Sequence, residues 1–201
     1  MWLPDRSGSS CGTRRPVSPD QLSVTVRAVC FVCLFQACGT SFFLAWCGTR
    51  LAHSAARIAR LGCVTAGVGA LLILLHQSLE ATRMAGEYGG FLDAGLQWLA
   101  LDSTGGAAHG AQAFGLLLVA AGLARQEQAA PGGGRIALAV AGSLLAVLAF
   151  TITGHTSVAP ARSVLAPLLA VHLLTVAFWF GALAPLYMVL AHDTGSYAPD
   201  H

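Results

Sequence analysis

Lysine does not occur in this chain, and charged residues of all kinds make up only 10% of its 201 positions. A soluble domain carries roughly 25% charged residues, so there is too little charge here to solvate a water-facing surface. The eleven cationic side chains are all arginines, scattered rather than clustered, and the net charge is only +2. That excludes the basic patch a nucleic-acid partner requires. Equally absent are an HExxH helix, a P-loop, a GxGxxG turn opening a helix and a Ser-His-Asp arrangement. Nothing supports soluble-type catalysis, and the chain does not read as an enzyme. A disulfide framework is also missing: of the six cysteines only Cys11 stands clear of the apolar runs. Cys30, Cys33, Cys38, Cys47 and Cys63 lie in or beside them. A cysteine on a lipid-embedded helix is more often a small filler than a ligand, and Cys30-x-x-Cys33 is read that way.

Long hydrophobic runs are what the chain has in place of charge. Residues of hydrophobic type make up 55% of it, with a mean hydropathy of +0.66. Crossing a bilayer takes roughly 20 apolar residues, and five windows qualify: about 26–46, 61–79, 106–124, 136–154 and 164–190. The fold class is therefore an all-α integral membrane protein, a compact bundle of five transmembrane helices. Residues 1–21 form a polar tail expected to be disordered and unlike a cleavable signal peptide. Residues 22–192 make the membrane domain, and 193–201 a short terminal tail. Between the second and third spans lies "GEYGGFLDAGLQWLALDSTGG", too polar and glycine-rich to cross. Its centre, Phe91 to Leu101, is expected as a short interfacial helix dipping Phe91, Leu96, Trp98 and Leu99 into lipid.

The arginines set the orientation. The loop after the first span carries Arg50, Arg57 and Arg60, and the one after the third carries Arg125 and Arg135. The segment after the second span holds Glu80, Glu87, Asp93 and Asp102 against Arg83 alone. Positive loops stay inside, so the N-terminus is expected outside and the C-terminus in the cytoplasm. Arg6, Arg14, Arg15 and Arg27 run against that bias. On this topology His76, His109, His155 and His172 fall in the outer half of four different spans. His172 lies about eight residues into the fifth span, roughly 12 Å deep at 1.5 Å per residue. His53, His192 and His201 read as ordinary solvated residues. Ionisable groups within a bilayer usually face the bundle interior and mark an ion or substrate path. Any one of these histidines is readily a hydrogen-bonded interfacial residue; four at similar depth suggest a shared polar site. His76, Glu80 and Met84 follow at i, i+4 and i+8 on one face of the second span. Imidazole with thioether suits copper, the thioether favouring Cu(I).

The order of motifs resembles that of the bacterial copper resistance D family, membrane proteins of the CopD and PcoD type. The matching pieces are "RAVCFVCLFQACGTSFFLAW", "LEATRMAGEY", "LALDSTGGAAHGAQ", "TGHTS" and "AVHLLTVAFWFGALAPL", together covering roughly residues 25–190. The family usually shows a Gly-Gly pair after the tryptophan, where this chain has Gly181-Ala182. The family pattern also continues past the fifth span, so a fragment, a short relative or a subunit completed by another chain is expected. The resemblance implies a copper-handling protein of the bacterial inner membrane, accepting copper from the periplasmic side. It leaves room for a periplasmic copper-binding protein or a further membrane subunit as partner, beside the lipid bilayer itself. His155 and His172 are expected to share one copper site, joined by His76, His109 and Met84. Glu80 and Thr156 are the acceptors expected for the second imidazole nitrogens. Trp179, two turns on from His172, is expected to close the bottom of the cavity. Two other readings stay open: a b-type cytochrome holding haem b between paired histidines, and a non-catalytic structural subunit.

Topology is directly testable. A periplasmic reporter fused near Asp93 or Arg162 is expected to be active and one near Arg57 or after Arg125 inactive. The opposite pattern would turn the bundle over and place the histidines in the cytoplasmic half.

Overall fold

The structure is a computed structural model, and it describes residues 19–51, 54–124, 132–153 and 162–195. Six helices account for nearly all of them: α1 (Pro19–Cys47), α2 (Ala55–Ala85), α3 (Ala94–Leu101), α4 (Thr104–Leu123), α5 (Gly133–Leu148) and α6 (Arg162–Gly195). α1, α2, α4 and α6, and α5 together with the 3-10 turn that continues it to Ile152, are long and apolar enough to cross a membrane. The five expected spans are there, and the chain is an all-α multi-pass membrane protein. α1 begins at Pro19, inside the stretch expected as tail, with Asp20 in its first turn. Proline tolerates the first helical position because its missing N–H would be unpaired there anyway, and a carboxylate there is stabilised by the positive end of the helix dipole.

The 31 residues of α2 extend for about 46 Å at 1.5 Å per residue, well past the ~30 Å hydrocarbon core. At least one end of it therefore projects beyond the hydrocarbon. The helix stops at Gly86, whose φ of 73° lies in the left-handed region that glycine adopts freely. The chain then makes a tight turn over Tyr88–Leu92 and lays α3 across the end of α2. Asp93 caps α3 by accepting from the N–H groups of Gly95 (2.9 Å) and Leu96 (3.0 Å). Gln97 ties α3 down, donating to the carbonyls of Ser78 (3.1 Å) and Phe91 (3.0 Å). Trp98 and Leu99 are left exposed on α3 and Phe91 in the turn before it, while Leu96 is half-buried. Ser103 caps α4 by accepting from the Gly106 N–H at 3.0 Å.

Helices α1, α2, α4 and α5 form the body of the bundle, and α6 leans on α1. Small residues bring the backbones together, as membrane helices require in the absence of a hydrophobic driving force. A Cβ on Gly115 of α4 would lie 2.6 Å from the Gly142 carbonyl oxygen of α5. Arg135, at the start of α5, donates to the terminal carbonyls of α4 at Ala121 (3.1 Å), Gly122 (3.4 Å) and Ala124. A cation there complements the negative end of the α4 dipole. Cysteines lie inside this packing. Cys38 is fully buried and donates to the Ser143 carbonyl, and Cys63 donates to that of Ala120.

The α1–α6 contact turns on two glycines. A Cβ on Gly39 would sit 2.5 Å from the Gly181 Cα, so the two backbones touch. Four residues past Gly181, Pro185 is buried within α6. Proline has no N–H to give the carbonyl at i−4, which leaves the Gly181 oxygen unserved by its own helix. Gln36 of α1 fills the role, donating through Nε2 at 3.0 Å. Gly39→Val is expected to destabilise the bundle by about 1–3 kcal/mol, the usual range for overpacking, read from thermal unfolding in detergent. An unchanged transition would mean that α6 is not seated as described.

Candidate functional site

One end of the bundle opens into a cleft of about 320 Å³. Arg27 of α1 lines it, with His76, Gln77, Glu80, Arg83 and Met84 of α2. The turn from α3 into α4 adds Ala100, Ser103, Gly105 and Gly106, followed by His109 on α4 and Thr153 after α5. Glycine at 106 allows α4 to start hard against the end of α3. A Cβ on Gly106 would lie 2.7 Å from the Ala100 carbonyl oxygen. That close seat carries His109, one turn further on, to α2.

His76 and His109 meet across the α2–α4 interface with ring centres 5.0 Å apart and planes at 71°. His76 is 5% exposed and His109 half-buried. Each has polar neighbours that orient it. Nδ1 of His76 lies 3.4 Å from the Ser23 hydroxyl of α1, and its Nε2 lies 3.6 Å from Glu80 Oε1. Nδ1 of His109 is 2.6 Å from Gln77 Oε1. An amide oxygen only accepts, so His109 carries its proton on Nδ1 and offers the lone pair of Nε2.

The carboxylate of Glu80 has a second claimant. Arg83 donates to both its oxygens at 3.0 Å and to Asp20 at 3.1 Å, tying the end of α2 to the start of α1. Gln77 is buried, yet its Nε2 has no hydrogen-bond partner, and neither does the buried Thr82 hydroxyl. Buried unpaired polar atoms are uncommon and call for a cause. Gln77 lines the cleft, while Thr82 lies on the same stretch of α2 but is fully buried and does not line it.

The expected site residues fall into three groups. His76, His109, Glu80 and Met84 come together in the cleft, with Met84 at its rim, 52% exposed. His155 and Thr156 lie outside the described residues. His172 and Trp179 are on α6 and do not line the cleft. Facing of His172 into the bundle core, and closure of a cavity by Trp179, are both corrected. α6 turns Ala177, Gly181 and Pro185 toward α1, while His172 is exposed and Trp179 is 69% exposed. A step of five residues from His172 to Ala177 is about 140° around a helix of 3.6 residues per turn, which puts the imidazole away from that contact. Gln77, Ser23, Arg83 and Asp20 went unnoticed as site residues. For Gln77 the signal was its place beside His76 in an otherwise apolar run; Asp20 is 63 residues from Arg83 and left none.

Among the described residues no three His, Cys, Asp or Glu side chains already converge as a metal-holding set. What the cleft offers is a histidine pair with a carboxylate next to it. As arranged, the pair leaves no room for a porphyrin plane between the rings, as axial haem ligation would require.

Residues 18–163 match the family described as copper resistance protein D-like, N-terminal domain. The chain belongs to that family. Copper resistance or handling is thus its role at the level of the family, and the matched stretch includes every residue of the cleft. It ends at the start of α6, so the motif "AVHLLTVAFWFGALAPL" lies beyond it. No curated protein and no solved structure gives a significant match.

Proposed function

We propose that this copper resistance protein D-like chain accepts copper from the periplasmic side of the bacterial inner membrane, with His76 and His109 as its first binding station. From there the ion passes inward or to a partner. Copper is the cargo, and no chemical conversion is asked of the protein. The observation that carries the reading is the meeting of two histidines from different helices in an open cleft. Their spacing suits shared ligation. With imidazole–metal bonds of ~2.0–2.1 Å, each ring centre stands about 3 Å from the metal, so two rings at a tetrahedral angle lie about 5 Å apart. The observed separation is 5.0 Å.

The cleft is at the end of the bundle that carries the acidic connection between α2 and α4, with Arg50, Arg57, Arg60 and Arg135 at the other end. By the positive-inside bias the cleft then opens outward, the N-terminus is periplasmic and the C-terminus cytoplasmic. Met84 at the rim is suited to meeting a soft ion. His155 follows Thr153, which lines the cleft, by two positions, so it is the next contributor from the chain. A periplasmic copper-binding protein is the natural donor, and a further membrane subunit the natural acceptor.

His76→Ala and His109→Ala are each expected to weaken copper binding to detergent-purified protein by at least about tenfold. The double replacement should cost less than the sum of the singles, as for ligands of one ion. Wild-type affinity in the double variant would remove the station from this cleft.

A further inference from the structure

We propose that Glu80 is the third ligand of this station, held in reserve by Arg83, and that the completed set is built for a divalent cation. The inference rests on the reading of His76 and His109 as the first copper station and adds how that station is closed and which ion it favours.

No three His, Cys, Asp or Glu side chains converge on a metal position among the described residues, but one pair of the set is close to ligating distance. Glu80 Oε1 lies 3.6 Å from His76 Nε2. Two donor atoms sharing one metal at ~2.0–2.2 Å stand about 3.3 Å apart across a tetrahedral angle, so a shift of a few tenths of an ångström brings the carboxylate into the coordination sphere. The spacing follows from the helix: residues four apart lie on one face, one turn above the other. His109 is already oriented for the same task, since Gln77 fixes its Nδ1 proton and leaves Nε2 free. On the other ring the Ser23 hydroxyl lies 3.4 Å from His76 Nδ1, and Nε2 is on the side of Glu80.

The carboxylate is not free to move while Arg83 holds both its oxygens. A cation arriving at the histidines competes with the guanidinium for Glu80. Arg83 does not become an unpaired charge when it loses, because Asp20 still accepts from its Nε. The exchange therefore moves one carboxylate from a guanidinium to a metal, offsets one of the metal's two charges and leaves Arg83 paired with Asp20, while Arg27 rests 5.3 Å over the ring of Phe31. Arg83 acts on the metal only through Glu80. Two imidazoles and a carboxylate form a nitrogen–oxygen set, which suits Cu(II) and Zn(II), Cu(II) more tightly. Soft Cu(I) gains nothing from the carboxylate and is served instead by the Met84 thioether.

The test is titration of detergent-purified full chain with Cu(II), and in parallel with Ag(I) as the soft probe. Glu80→Gln is expected to weaken Cu(II) binding by at least about tenfold and leave Ag(I) unchanged; Met84→Leu should do the reverse. Arg83→Gln is expected to tighten Cu(II) binding by about threefold to fivefold, the range of a half-exposed ion pair. In the Glu80→Gln background it should have no effect. Thermal unfolding of each metal-free variant identifies any that is merely misfolded, and the Ag(I) titration then reports whether the histidine pair is intact. Wild-type Cu(II) affinity in Glu80→Gln, or an Arg83→Gln effect that persists without Glu80, overturns the proposal. Loss of binding in His76→Ala and His109→Ala alongside such a result would leave the station standing and remove only its third ligand. Retention of binding in those histidine variants would remove the station itself.

Discussion

Hydrocarbon offers no hydrogen bonds, so every polar group placed in it needs a partner from the protein, and this one constraint orders the bundle. Gln36 answers the carbonyl that Pro185 leaves open, Cys38 and Cys63 donate to carbonyls of neighbouring helices, and Arg135 covers the end of α4. Thr40, Ser41, Thr65 and Ser143 turn back onto their own helices. Among the described residues the buried side-chain atoms left unpaired are Gln77 Nε2 and Thr82 Oγ1. Gln77 lines the cleft, where a ligand can supply what the fold withholds, whereas Thr82 is fully buried and does not line it.

The cleft itself follows from lengths and small residues. α2 is longer than the hydrocarbon is thick, and its last turns carry Glu80 and Arg83 paired with each other, and Arg83 also with Asp20, which lowers the penalty of charge near lipid. The short α3 and the glycine-lined start of α4 bring His109 back against α2, where His76 is waiting one turn below Glu80. A histidine pair at that level is wet enough to exchange an ion and enclosed enough to select one. The arrangement fits the copper station proposed here, and membership of the copper resistance protein D-like family supports copper handling as its role.

Much of the architecture was legible in the sequence because the bilayer writes it in plain terms. Five apolar runs, a short helix around Trp98 and the placing of His76 and His109 at the same end of the bundle follow from composition and counting alone. What could not be counted was facing. α6 is apolar almost all round, so no stripe in its sequence points inward, and His172 was expected at the core on depth alone. The discriminating signal was finer: Ala177, Gly181 and Pro185 at i, i+4 and i+8 mark the contact face, and Gly39 on α1 is its counterpart. Pairing of His76 with His109 in preference to His172 likewise depends on the α2–α4 contact, which joins residues 33 positions apart. The tie from Arg83 to Asp20 is longer still, and only the folded chain brings it together.

The most direct measure of the central claim is the number of imidazoles bound to the metal. Pulsed electron paramagnetic resonance of the Cu(II)-loaded protein resolves the remote ring nitrogens of each ligating histidine. The account predicts modulation from at least two imidazoles, with one fewer in His76→Ala and one fewer in His109→Ala. A spectrum identical in wild type and both variants would contradict it, because the copper would then be held somewhere other than this cleft.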